Sequence, residues 1–181
     1  MLVYGEHGKP VLVFPTQGGV AEDFAGFGMV DACRSLIESG KLRLYCVDSI
    51  DNQSWANYQF DPAKRALRHE EYDRCIIKEI YPLIAADYGR DVMCLATGCS
   101  MGGYHAGNFF FRHPDRFDAV ISLSGLFQLK LFIGNYMDTT VYYNSPLHYL
   151  PHLTDLRYLE RYHRSTIIIC CGQGAWEEEM I

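Results

Sequence analysis

The stretch LATGCSMGGYHAG, residues 95–107, decides how this chain is read. An apolar, strand-like run (residues 91–98) leads into it, and a helix-like run from about residue 103 to 111 follows. Within it Gly98, Cys99, Ser100, Met101 and Gly102 match G-x-S-x-G. In a strained strand-to-helix turn of this kind a serine hydroxyl stands exposed at the end of a sheet. Small neighbours are required because the backbone crowds itself there. Gly98, Gly102 and Gly103 are such neighbours. The N-terminal N–H groups of the following helix favour negative charge at the same point. The competing explanation is a glycine turn that merely joins strand to helix. The apolar strand before it and the helix after it favour Ser100 as a nucleophile.

Outward from this turn, strands and helices alternate. Apolar runs at residues 11–15 (VLVFP), 42–48, 117–125 and 165–172 predict strands. Residues 28–41 predict a helix, with Met29, Ala32, Cys33 and Leu36 at helical spacing and Gly40 ending it. Residues 63–88 predict a longer helix with Ile76, Ile77, Ile80 and Leu83 on one side and a kink at Pro82. A short helix is expected over residues 155–163. Residues 49–62 are a polar and aromatic loop, and residues 126–153 are irregular and aromatic. The strands are apolar throughout rather than at every second residue. That pattern belongs to a mostly parallel, doubly wound α/β sheet with helices on both faces. No repeat or linker divides the 181 residues, so one domain is expected.

Composition narrows the function classes. Apolar residues make up 49% of the chain, enough for a sizeable core, and the aromatic content of 14% is high. Aromatic rings fill cores and also line apolar pockets. The net charge of -6 argues against nucleic acid as a partner. No basic start followed by an apolar stretch suggests a signal peptide, and no apolar run is long enough to span a bilayer, so no membrane role is expected. Of the seven cysteines, Cys46, Cys94, Cys170 and Cys171 fall in apolar runs, where Cys acts as a small hydrophobe. There is no C-x-x-C spacing, so no metal site is expected, and a reduced, cytoplasmic protein is the economical inference.

Acyl transfer on a serine needs backbone donors for the developing oxyanion, an acid and a base. The first donor is expected at Met101, the residue after the candidate nucleophile. The second is expected in the glycine-rich loop after the first long strand, at Gln17 or Gly18, where Gly19 also lies. A plain loop or a phosphate-binding turn competes there, but neither G-x-G-x-x-G nor G-x-x-x-x-G-K-[ST] occurs. The acid is expected just beyond a later strand, where Glu177, Glu178 and Glu179 stand; a solvated first helical turn is their alternative. The expected order is Ser, acid, His, yet no His follows Glu177. His105 is expected to pack against the sheet or point to solvent, and His69 and His113 to lie at the surface. The base then comes from an unexpected position or from a segment outside this chain.

The residues GKPVLVFPTQGG, LYCVDSIDNQSW, EIYPLI, TGCSMGGYHAGNFFFRHPDRFDAVISLSG and GQGAWE resemble, in this order, the esterases of the α/β-hydrolase superfamily related to esterase D and S-formylglutathione hydrolase. The resemblance implies Ser100 as nucleophile, with Met101 and a donor among Gln17, Gly18 and Gly19 as the oxyanion hole. It implies Glu177 as the acid, three residues beyond a Gln-Gly pair, where Asp is commoner. Related enzymes continue through a segment that carries the catalytic His, so the chain is expected to be the middle of that fold. Residues 126–150 would lie over the site, with Tyr142 shaping a pocket; ordinary loop packing is the alternative. Trp55 either walls the same pocket or anchors its own loop. The expected activity is hydrolysis of small-molecule carboxylic esters through an acyl-enzyme, with no cofactor. An acyltransferase, or an inactive fragment or binding module on the same fold, are the alternatives. An uncovered apolar last strand is expected to drive homo-oligomer formation.

Overall fold

The computed structural model describes residues 1–174. Six strands form one sheet: β1 (Leu2–Tyr4), β2 (Lys9–Phe14), β3 (Leu42–Cys46), β4 (Cys94–Cys99), β5 (Phe117–Leu123) and β6 (Thr166–Cys170). Their order across the sheet is β1-β3-β2-β4-β5-β6. Only the β1–β3 pair is antiparallel; β3, β2, β4, β5 and β6 run parallel. The chain moves from β2 to β3 on one side, then crosses back to β4 on the other. The strand order therefore reverses between β2 and β4, and a crevice opens at their carboxyl ends, where ligands of such sheets bind.

Both faces of the sheet are covered at its central strands, which explains why β2 is apolar on both sides. Leu12 and Phe14 of β2 point into a cluster with Ile76, Ile84 and Phe109. Val11 and Val13 point the other way, into a cluster with Leu44, Cys46, Val30 and Ile37. The register holds the neighbouring strands in step, with Phe14 opposite Gly98 and Gly98 opposite Ser122.

The helix expected over residues 28–41 is instead broken. Its span holds α2 (Met29–Ala32) and α3 (Arg34–Glu38), preceded by α1 (Asp23–Gly26). The break falls at Cys33, whose φ of -90 and ψ of 0 close one turn before the next opens. The longer helix follows the expectation closely. It opens with α4 (Pro62–Cys75), capped by the Asp61 side chain, which accepts from the Lys64 N–H at 2.9 Å. It closes with α5 (Tyr81–Asp87). Between them lies a wide π-helical turn, Ile76–Ile80, in which the Tyr81 N–H reaches back to the Ile76 carbonyl. Pro82 explains the turn: it has no N–H to donate and its ring crowds the preceding turn, so the helix widens there.

The central helix, α6 (Met101–Arg112), is buried along nearly its whole length and packs on β2, β4 and β5. The aromatic segment after β5 is not irregular throughout. It folds into three short helices, α7 (Lys130–Ile133), α8 (Thr139–Tyr143) and α9 (Pro146–Tyr149). The final helix, α10 (Leu156–His163), is capped by Asp155. β6 forms the open edge of the sheet, with Ile167, Ile168 and Ile169 exposed. None of the described helices is long and apolar enough to cross a membrane.

Candidate active site

Ser100 sits between β4 and α6 with φ 57 and ψ -120. This is a region that side chains other than glycine rarely adopt. The backbone around it is pinned on both sides. The Ser100 N–H donates to the Leu123 carbonyl at 2.9 Å, and its own carbonyl accepts from Tyr104 and Leu126 N–H. The turn can be this tight only because its neighbours are glycines. A Cβ on Gly98 would lie 2.4 Å from the Gly102 carbonyl oxygen, and one on Gly102 would lie 2.4 Å from both the Phe14 and Pro15 carbonyl oxygens. The close approach of α6 to the end of β2 is thus written into Gly102.

Ser100 is partly exposed, and its hydroxyl has no hydrogen-bond partner among the described residues. Met101 is the first residue of α6, so its N–H has no partner within the helix and faces outward from the helix N-terminus. Its side chain is fully buried against Trp55, Tyr104 and Leu129.

The second expected donor lies on the turn at residues 16–19, closed by the Gly19 N–H to the Thr16 carbonyl at 3.0 Å. Gly18 stands at φ 65, which this turn needs and glycine allows. The structure separates the two candidates that the sequence left open. The Gly18 N–H is already engaged, donating to Asp51 Oδ2 at 3.2 Å. Gln17 is exposed, and its N–H has no partner among the described residues. The turn follows β2 and Ser100 follows β4, so both stand at the crevice where the strand order reverses.

Beneath this turn lies a buried polar group that the sequence did not single out. Asp51 and His105 are both fully buried and joined Oδ1 to Nε2 at 2.8 Å. Asp51 also accepts from the Ser49 hydroxyl at 2.5 Å. Burial acts to raise the pKa of this carboxyl. The His105 ring, Ser49 and the Gly18 N–H outweigh it and hold the pKa at about 2. His69 stacks on His105 at 5.3 Å and meets Trp55 in a tilted contact at 5.0 Å. Burial, then the neighbouring His105 and Arg112, keep His69 well below the ordinary histidine range. The expectation that His69 is a surface residue is therefore wrong. It sits on the inner side of α4, facing α6, and its polar type concealed that. His113 is half-exposed and bonded to Asp73 at 2.8 Å. The only available signal for Asp51 was an aspartate just after a strand, two residues beyond a serine.

Trp55 is fully buried and exposes no face to a ligand, so of its two expected roles the structure supports the anchoring one. Tyr142 packs with Tyr143 and Tyr149 beside the main core. Those two neighbours line a cavity with Arg112 and His113, at the end of α6 remote from Ser100. Tyr142 itself is partly buried against the core. Glu177 lies outside the described residues.

A family model described as "Putative esterase" matches residues 5–180. This chain belongs to that esterase family. By that membership it is a carboxylic-ester hydrolase in class. Similar solved structures share its α/β-hydrolase-like fold. A Staphylococcus aureus fluorophosphonate-binding serine hydrolase, with substrate bound, has a TM-score of 0.58 at 19% identity, over 97% of this chain and 68% of its own. A ferulic acid esterase has a TM-score of 0.61 at 17% identity, over 96% of this chain and 82% of its own. An S-formylglutathione hydrolase from Staphylococcus aureus has a TM-score of 0.56 at 17% identity, over 99% and 80%. The search of curated protein sequences found no match.

Proposed function

We propose that this esterase hydrolyses small carboxylic esters through an acyl-enzyme on Ser100. The observation that carries the proposal is the strained Ser100 backbone, held by glycines at the crevice of the sheet, with no partner for its hydroxyl among the described residues. Ser100 Oγ attacks the ester carbonyl carbon while its proton passes to a histidine base brought from outside this chain and oriented by Glu177. The carbonyl oxygen becomes an oxyanion, held by the N–H groups of Met101 and Gln17. Collapse of the tetrahedral adduct expels the alcohol, which takes the proton from the base. Water then attacks the acyl-enzyme by the same path in reverse and releases the acid. No cofactor enters this sequence.

The test is hydrolysis of p-nitrophenyl acetate by this chain beside its Ser100→Ala variant, with intact-mass detection of an acetylated form. Turnover and an acetyl adduct that both vanish in the variant support the proposal. Measurable turnover of equal rate in the variant overturns it, whereas turnover in neither protein means that the histidine base has to be supplied from outside this chain. The exposed edge of β6 is the surface through which self-association would run. A monodisperse monomer in light scattering counts against that expectation.

A further inference from the structure

We infer that Asp51 and His105 are positioning residues that set the oxyanion turn against the nucleophile helix. The inference rests on the proposed role of Ser100 and extends it to two residues that touch no substrate. The two halves of the candidate site come from different parts of the chain. Ser100 and Met101 begin α6, whereas Gln17 rides on the turn after β2. Backbone packing alone sets how closely these halves approach, through Gly102 against the Phe14 and Pro15 carbonyls. It does not set the direction of the Gln17 N–H, because the tip of the turn is exposed.

The loop after β3 supplies the direction. Three of its groups grip the turn in series. The Asp48 carboxylate accepts from the Ala21 N–H at 2.9 Å. The Ser49 N–H donates to the Gly19 carbonyl at 3.0 Å. Asp51 Oδ2 accepts from the Gly18 N–H at 3.2 Å. Asp51 in turn is anchored to α6 itself, through His105 Nε2 at 2.8 Å. His105 lies five positions along the helix from Ser100, so one carboxylate bridges the turn to the very helix that carries the nucleophile.

The Gly18 N–H is drawn down into the protein, and the preceding peptide, which bears the Gln17 N–H, is left facing outward. A charged acceptor is suited to this task because it takes three donors at once and is fully buried, where such bonds are strong. His105 spends Nε2 on Asp51, while its Nδ1 has no partner among the described residues. The ring therefore serves the carboxylate and is not shared with Ser100.

The test combines kinetics on p-nitrophenyl acetate with amide hydrogen exchange read by NMR. In Asp51→Ala and His105→Leu, kcat should fall about 10- to 100-fold with KM changed less than about threefold, because a displaced donor weakens the transition state more than the bound ester. Exchange of the Gly18 amide should quicken at least about tenfold in both variants, as its acceptor is lost or freed. His105→Gln keeps an N–H donor near the Nε2 position and should restore kcat to within about threefold of the parent.

A folded Asp51→Ala protein with kcat within about twofold of the parent and Gly18 still protected overturns the inference. So does a loss of kcat that His105→Gln fails to restore. If Asp51→Ala does not fold, the parent protein decides, since a Gly18 amide exchanging as fast as that of Gln17 is incompatible with the bond. Absence of Ser100-dependent turnover in the parent means that the histidine base has to be supplied from outside this chain, and it bears on the esterase proposal rather than on this inference. The exchange comparison across the His105 variants then still reports whether the pair holds the turn.

Discussion

Replacing Ser100 by glycine should make the protein more stable than replacing it by alanine. The backbone at Ser100 has φ 57 and ψ -120, a conformation costing a residue with a Cβ on the order of 1–3 kcal/mol. Alanine keeps that cost and removes only the hydroxyl. Glycine removes the cost but adds roughly 0.5–1 kcal/mol of unfolded-state entropy. The balance favours Ser100→Gly over Ser100→Ala by up to about 2.5 kcal/mol and centrally by about 1 kcal/mol, or roughly 2–4 °C in Tm for a chain of this size. Urea titration followed by tryptophan fluorescence measures the difference directly. Both variants lack the hydroxyl, so activity does not confuse the comparison. The control is Ala106→Gly, in the buried middle of the same helix, which should destabilise by about 1 kcal/mol or more. If Ser100→Gly is less stable than Ser100→Ala, the turn is not strained, and the structural case for a nucleophile at this position fails.

Gly102→Ala should cost upwards of about 3 kcal/mol, because its Cβ would stand 2.4 Å from two backbone carbonyl oxygens that cannot yield without parting α6 from β2. Thermal unfolding of the variant checks this, and a near-neutral result would contradict the packing described. Trp55→Ala should cost about 3–5 kcal/mol, as expected for a fully buried indole, whereas a pocket-wall tryptophan would change KM with little loss of stability. His69 titrates well below the ordinary histidine range when folded and near 6.5 when unfolded. Below that pH the unfolded chain therefore binds a proton that the folded chain refuses. Stability is full above about pH 6.5 and falls as the pH drops, by up to about 1.4 kcal/mol per unit. His69→Phe should flatten this dependence between pH 6.5 and 4.5 in urea titrations, and an unchanged slope would show that His69 is not the group responsible.

The sequence by itself determined the five parallel strands, the long helix over residues 63–88 and the glycine pattern around Ser100, but not β1, the break at Cys33 or the short helices after β5. Apolar runs without alternation favour strands covered on both faces, which holds for β2, β4 and β5 but not for the exposed β6, and Gly98, Gly102 and Gly103 around a serine fit a crowded backbone. These signals are local: they follow from spacing, side-chain size and the steric limits of a few consecutive residues. The tertiary structure decided what depends on residues distant along the chain. The reversal of strand order between β2 and β4 brings Gln17 and Ser100 to one crevice, although 83 positions separate them. Only the fold shows that the Gly18 N–H is taken by a carboxylate from the loop after β3. His69 and His105 were misjudged or left open for the same reason. A histidine's polarity says that it can face water, and only the packing of α4 against α6 shows that it does not. Burial, pairing and charge state are properties of neighbours, and neighbours in this sheet come from strands joined by long crossovers.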